Sequence, residues 1–211
     1  MPSNPDNAAR QPPRLILASA SPRRAALMRE HGFCFEVATP PLEEPDRLGV
    51  DLSPPQRVEA ISHFKARSVA AHFGDAVILA GDTLAALGGR VFGKPVDRDG
   101  ARAILTALSG TTHQVVTGVT LLSARSGERL IRHDTTAVTM KRLTDAEMEA
   151  YLDTGAWKGK AGAYGIQDRG DAFIDRLAGS FTNVVGFPME LVTQMLAEWS
   201  IDPTPDPPAP T

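Results

Sequence analysis

The sequence predicts an α/β fold in which helices flank a mixed sheet. Three observations lead there. Short apolar runs of strand length alternate with longer segments that open on serine, threonine or aspartate and close on glycine. Two extended runs, 115–122 and 130–140, are joined by a short segment containing Gly127, the pattern of an antiparallel pair. Strand–helix alternation around a central hairpin gives a sheet with both parallel and antiparallel neighbours.

The elements follow in order. Leu15-Ile16-Leu17-Ala18 is apolar throughout and reads as a buried strand. In Ser19-Ala20-Ser21-Pro22, serine is an N-cap and proline takes the first helical position. That helix carries Leu27 and Met28 and stops at Gly32. Phe33, Phe35 and Val37 alternate, which predicts a strand over 33–39 with Cys34 as a buried thiol. Residues 40–51 form a loop carrying Glu43 and Glu44. Ser53 and Gln56 have capping-box spacing and open a helix that ends at Gly74. Residues 76–80 are a strand ending at Gly81-Asp82, and a hairpin-like stretch runs on through Gly88-Gly89 to Gly93-Lys94-Pro95. Residues 97–108 are helical and close at Gly110, and Thr144 with Glu147 caps a helix ending at Gly155. A glycine-rich loop covers 155–165, 172–177 is a strand, and the last helix spans 188–199.

Composition narrows the function. The 211 residues include 22 Lys and Arg against 25 Asp and Glu, a net charge of −3, so the overall field does not favour polymeric nucleic acid. Phosphate binding must come from a few placed cations. The single cysteine excludes a disulfide framework and a cysteine-rich zinc site. No apolar run approaches the roughly 18 residues of a membrane span. The polar first residues lack the apolar core of a secretory signal, so a cytoplasmic location is expected. Prolines crowd into the two ends. Residues 1–13 and 201–211 are expected to be disordered tails around one domain, 14–200. The stretch 203–208 also has the composition of a polyproline ligand, though a plain tail suffices.

Common catalytic motifs are absent. There is no His-Glu-x-x-His helix and no Gly-x-Ser-x-Gly elbow. The segment before Gly159-Lys160 is too short for a phosphate loop and lacks its Ser/Thr. The histidines show no ligand spacing.

Four segments carry chemistry. Ser19, Ser21, Arg23 and Arg24 stand at a helix N-terminus, where free N–H groups, hydroxyls and guanidinium groups favour an anion; an ordinary capped helix is the alternative. Lys65 falls on the apolar stripe of Val58, Ile61 and Val69, so it either snorkels or meets a buried anion. Asp82 lies at the carboxyl end of a strand, where α/β sheets bind ligands, and can hold a metal, activate water or start a turn. Lys94 follows, and Glu43 and Glu44 offer a second carboxylate. Gly162-Ala163-Tyr164-Gly165-Ile166-Gln167 allows close backbone approach, and its amide suits the edge of a base. Cations and carboxylates without a histidine or serine base suggest metal-assisted phosphoryl chemistry.

The run Leu17-Ala18-Ser19-Ala20-Ser21-Pro22-Arg23-Arg24 resembles the opening signature of the Maf family of nucleoside triphosphate pyrophosphatases. Lys65-Ala66, Gly81-Asp82-Thr83, Gly93-Lys94-Pro95, Leu108-Ser109-Gly110-Thr111-Thr112-His113 and the run from Gly162 to Gln167 match in order. So do Gly179-Ser180-Phe181 and Val184-Val185-Gly186-Phe187-Pro188.

The resemblance implies a cleft-bearing fold like that of inosine triphosphate pyrophosphatases. It implies hydrolysis of a nucleoside triphosphate between the α and β phosphates, a divalent cation such as Mg²⁺ or Mn²⁺, and a cytoplasmic homodimer. It makes Asp82 the catalytic acid/base position, with Lys65 and Lys94 beside it. Arg23, Thr83 and Gln167 fall where base preference is set, and Ser19, Ser21 and Arg24 join the two lysines on phosphate. Asp82, Glu43 and Glu44 are the expected metal ligands. Asp82-Thr83 with Tyr164-Gly165-Ile166-Gln167 is similar to the branch that takes dTTP and UTP rather than 7-methyl-GTP. Ala156 stands where the family commonly has a glutamate. A nucleotide-binding regulator of septum formation, with incidental hydrolysis, is the rival reading.

Overall fold

The computed structural model describes residues 13–42, 45, 48–49, 51–167 and 172–204. Its strands are β1 (Leu15–Ala18), β2 (Glu36–Ala38), β3 (Val77–Leu87), β4 (Arg90–Phe92), β5 (Thr112–Ser123), β6 (Arg129–Met140) and β7 (Ile174–Ala178). Its helices are α1 (Pro22–Glu30), α2 (Pro54–Ala70), α3 (Arg98–Leu108), α4 (Asp145–Asp153), α5 (Phe181–Val185) and α6 (Met189–Ala197). The seven strands form one mixed sheet in the order β2-β1-β3-β5-β6-β7, with β4 paired to β3. Pairings of β1 with β2 and β3 are parallel; the others are antiparallel. The expected mixed α/β fold is therefore present.

One topological detail creates the site. An edge of β3 is shared: β1 pairs with Val77 to Ala80, and β4 with Ala85 to Leu87. Residues 81–84 face no strand on that edge, while β5 pairs with them on the other. The opening lies where β1 ends and the chain turns into α1.

Strand alternation then sorts the two faces. Ile16, Ala18, Ile78, Ala80, Leu84 and Ala86 face the side covered by α2. Leu15, Leu17, Val77, Leu79 and Ala85 join the larger core with α1, α3, α4 and α6. Where α2 crosses β5 the contact is backbone to backbone. A Cβ on Gly118 would lie 2.4 Å from the carbonyl carbon of Val58, so only glycine fits.

Local signals hold where they are chemical. The side chain of Gln56 accepts from the backbone N–H of Ser53 at 3.1 Å, and that of Glu147 from the N–H of Thr144 at 2.8 Å. The Gly88-Gly89 turn between β3 and β4 has φ of +56° and +83°, as a tight hairpin requires.

Five expectations are corrected. The strand expected to end at Gly81-Asp82 continues through both to Leu87, because β5 supplies partners along its length. Gly81 serves packing: a Cβ there would sit 2.9 Å from the Phe187 ring. The strand expected over 33–39 shrinks to Glu36–Ala38, the only residues in register with β1. Cys34, expected buried, is exposed and lies outside the strand. Helix α5 was not anticipated; it is one turn long and capped by the Ser180 hydroxyl, which accepts from the Asn183 N–H at 3.2 Å. Finally, the body does not stop at Ser200. Ile201 is buried and the Thr204 N–H donates to the Gly32 carbonyl at 2.9 Å. Residues 1–12 and 205–211, the bulk of the expected tails, lie outside the described residues. No helix among the described residues is long and apolar enough to cross a membrane.

Candidate active site

A cleft of about 680 Å³ opens at the gap beside β3. Ser19, Ser21, Arg23 and Arg24 line it from the start of α1, Lys65 from α2, and Asp82 and Thr83 from β3. Lys94, after β4, and Gln167 complete the expected set. The remaining two, Glu43 and Glu44, lie outside the described residues; Leu42, which precedes them, lines the cleft. Every described residue expected in catalysis or in substrate or metal binding thus lines one cleft.

Alternation along β3 explains the division of labour. Asp82 points to the α2 side, between Ala80 and Leu84, and there meets Lys65: Nζ donates to Oδ1 at 2.6 Å. The lysine on the apolar stripe has therefore found an anion. Thr83 points to the other face. Its hydroxyl lies 2.9 Å from that of Thr117 and accepts from the Arg24 guanidinium at 3.1 Å.

Arg24 is a hub. Its fork donates to the Gly186 carbonyl at 2.8 Å and to the Ser19 hydroxyl at 3.3 Å as well as to Thr83. It ties β1, β3 and the end of α5 together. Ser19 in turn accepts from the Ser21 N–H at 3.1 Å. Ser21 caps α1 by position only, with no side-chain cap bond and no acidic residue in the first turn. The positive end of the helix dipole thus faces the cleft.

The far wall is the segment 158–167. Arg23 donates to the Gly159 carbonyl at 3.2 Å, and the Gly162 N–H donates to the Gly93 carbonyl at 3.2 Å, which links this wall to the Lys94 segment. Tyr164 is anchored by His113: Nε2 and the phenol oxygen are 2.7 Å apart, both residues buried. Burial pushes the His113 imidazole down to about 4 and the Tyr164 phenol upward, so both are neutral near pH 7.

Sequence reasoning missed Lys158 and Lys160. Both line the cleft, and Lys160 is 8% exposed. The signal was present, since they sit directly before the glycine-rich run already singled out. It also missed Thr117, His113 and Asn183, polar residues inside the sheet or a short helix that support the cleft walls. Ala156 packs against the core and is not among the cleft-lining residues.

The electrostatic sum is one-sided. Among the described lining residues six are cationic, Arg23, Arg24, Lys65, Lys94, Lys158 and Lys160, and Asp82 is the one carboxylate. No group of three or more His, Cys, Asp or Glu that could hold a metal occurs among the described residues. Such a cleft suits a polyanion. A cation entering with it would find hard oxygen ligands on Asp82 and on the anion itself, which is the ligand chemistry of Mg²⁺ and Mn²⁺.

A family model described as Maf-like protein matches residues 14–199. A dTTP/UTP pyrophosphatase of Moorella thermoacetica is 43% identical over 189 residues, 90% of this chain and 96% of the relative. A dTTP/UTP pyrophosphatase of Pelotomaculum thermopropionicum is 41% identical over 185 residues, 88% of this chain and 96% of the relative. Among solved structures, a HAM1 protein from Coxiella burnetii superimposes with a TM-score of 0.52 at 18% identity, covering 88% of this chain and 99% of that one. The last likeness is one of fold.

Proposed function

The chain belongs to the Maf family, and from that premise we propose that it is a nucleoside triphosphate pyrophosphatase preferring dTTP and UTP. The products are the nucleoside monophosphate and pyrophosphate. The observation that carries this reading is the convergence of six cations and one carboxylate on a single cleft. The names of the two relatives point to the same substrates.

The chain's own residues divide the work. The triphosphate lies against the N-terminus of α1, where backbone N–H groups, Ser19, Ser21 and Arg23 face it. Arg24 holds that end of the cleft in shape through Ser19, Thr83 and Gly186. Lys65 and Lys94 neutralise the charge that builds on the leaving pyrophosphate. Arrival of the phosphates competes for the Lys65 ammonium and loosens its hold on Asp82. The freed carboxylate then takes a proton from a water aligned with the α-phosphorus. The new P–O bond forms as the bond from the α-phosphorus to the bridging oxygen breaks, and that oxygen leaves with the β-phosphoryl group. Gln167 and Thr83 read the pyrimidine edge. A divalent cation such as Mg²⁺ or Mn²⁺ would be held by Asp82 with Glu43 or Glu44, and would supply Lewis-acid neutralisation of phosphate charge. By the same family reading the protein acts as a cytoplasmic homodimer.

The test is pyrophosphate release from dTTP, UTP, CTP, GTP and 7-methyl-GTP with Mg²⁺, with Mn²⁺ and with chelator. Release from dTTP and UTP ahead of the others, abolished by chelator, is the expected result. Binding of dTTP without release from any nucleotide overturns the enzyme reading in favour of a nucleotide-binding regulator.

A further inference from the structure

A second cavity, of about 380 Å³, opens away from the cleft between the C-terminal half of α2, the end of β5 and the start of β6. Leu122 and Ala124 give it an apolar wall, while His63, Arg67 and Arg129 bring three basic side chains to it, with Ser123 beside them. Among the described residues no acidic side chain lines it.

The basic groups are not satisfied by the protein. Among the described residues the side chains of Arg67 and Arg129, both exposed, make no ion pair or hydrogen bond, and the His63 ring makes none. His63 and Arg67 stand four residues apart, hence on one face of α2. Burial, then the positive charges of Arg129 and Arg67, hold the His63 imidazole below its ordinary value, so the nearest charges around the ring share one sign. Since His63 Nδ1 is enclosed, Nε2 is the nitrogen left for a ligand. The Ser123 hydroxyl accepts from the Ser126 N–H at 3.2 Å and keeps its own proton to donate. Two forked guanidinium groups around a hollow are the donor set for tetrahedral oxyanions. The volume falls in the range of small-ligand pockets, larger than a phosphate alone needs.

We propose that this hollow binds a small phosphate-bearing anion, at a site separate from the cleft. Arg67 and Arg129 grip the phosphoryl oxygens, His63 and Ser123 complete the shell, and Leu122 with Ala124 accommodates an attached apolar or planar group. The ligand touches the same helix that carries Lys65.

The experiment follows backbone amide resonances of Ser123, Ala124 and Gly127 in the full chain during addition of inorganic phosphate, pyrophosphate or dTMP. It is repeated on an Arg67→Gln/Arg129→Gln variant, whose dTTP turnover reports an intact fold. Saturable shifts at these amides are expected, with affinity about tenfold or more weaker in the variant. Tighter binding of dTMP than of phosphate identifies a nucleotide as the ligand; equal binding identifies free phosphate. Shifts confined to cleft amides such as that of Gly165 overturn the proposal. So does equal binding in the variant, or the same response to sodium chloride at matched ionic strength.

Discussion

Lys65 and Asp82 form a 2.6 Å ion pair whose side chains are only 15% and 16% exposed. The pair bridges α2 and the stretch of β3 that faces no strand on one edge, inside the cleft. Removing one partner from a desolvated pair costs more than the pair contributes, because the other charge is left uncompensated. On the proposed function an arriving polyanion competes with Asp82 for Lys65, so substrate binding is coupled to release of the carboxylate.

Asp82→Asn preserves the shape of the carboxylate and removes its charge and basicity. Pyrophosphate release from dTTP is expected to fall on the order of 100-fold or more at saturating substrate. Steady-state turnover checks this, with circular dichroism to confirm folding. Near-normal turnover would remove Asp82 from the mechanism.

Arg24→Lys keeps the charge and loses the fork. One ammonium cannot reproduce the bonds to Ser19, Thr83 and Gly186 together. Loss of two such bonds predicts about 1–3 kcal/mol of destabilisation, read as a drop of several degrees in Tm. Turnover should fall with it, because three cleft walls lose their common tie. A variant with unchanged Tm would show that the guanidinium is not structural.

Gln167 is exposed at the cleft. Gln167→Ala should therefore leave Tm unchanged while weakening the preference for dTTP over GTP by about tenfold or more. The ratio of kcat/KM for the two nucleotides decides it. An unchanged ratio assigns base reading to other residues.

Legibility in the sequence follows the range of the interaction responsible. Helix starts are set within one turn, so Ser53 with Gln56 and Thr144 with Glu147 could be found directly. The length of β3 could not, because Gly81-Asp82 has the composition of a stop. What keeps it extended is β5 and the close packing of Phe187, both distant in sequence. The same holds for the cleft. Lys65 betrays itself by a charge on an apolar stripe, which is a local pattern. Thr117 and His113 do not, because their partners Thr83 and Tyr164 lie 34 and 51 residues away. Cys34 was misplaced because alternation of Phe33 and Phe35 mimics a strand where no neighbour is in register.

His113 makes stability depend on pH in a defined window. Its folded value of about 4 lies below the ordinary 6.5, because burial disfavours the imidazolium. The enclosed Nδ1 has no acceptor for a second proton. Between pH 6.5 and 4 the unfolded chain therefore binds the proton that the folded chain refuses. Stability is full above about pH 6.5 and falls as the pH drops toward 4, by about 3 kcal/mol in total from this group. His63, also held low, adds in the same direction. Glu36, Glu147, Glu190 and Glu198 lie below the usual carboxylate value, so their losses set in near the unfolded value of 4.5 and overlap only the acidic end of this window. His113→Gln can still bond the Tyr164 phenol but does not titrate. Urea unfolding at intervals from pH 7 to 4.5 should give a steeper decline for the natural protein than for the variant. Parallel curves would mean that His113 is protonated in the fold at no cost, against its burial. The distinction reaches function, since His113 holds Tyr164 and with it the wall that carries Gln167. Because the folded chain keeps His113 neutral through this window, its contribution to dTTP turnover should be lost only as the pH nears 4, and the variant should lack that loss.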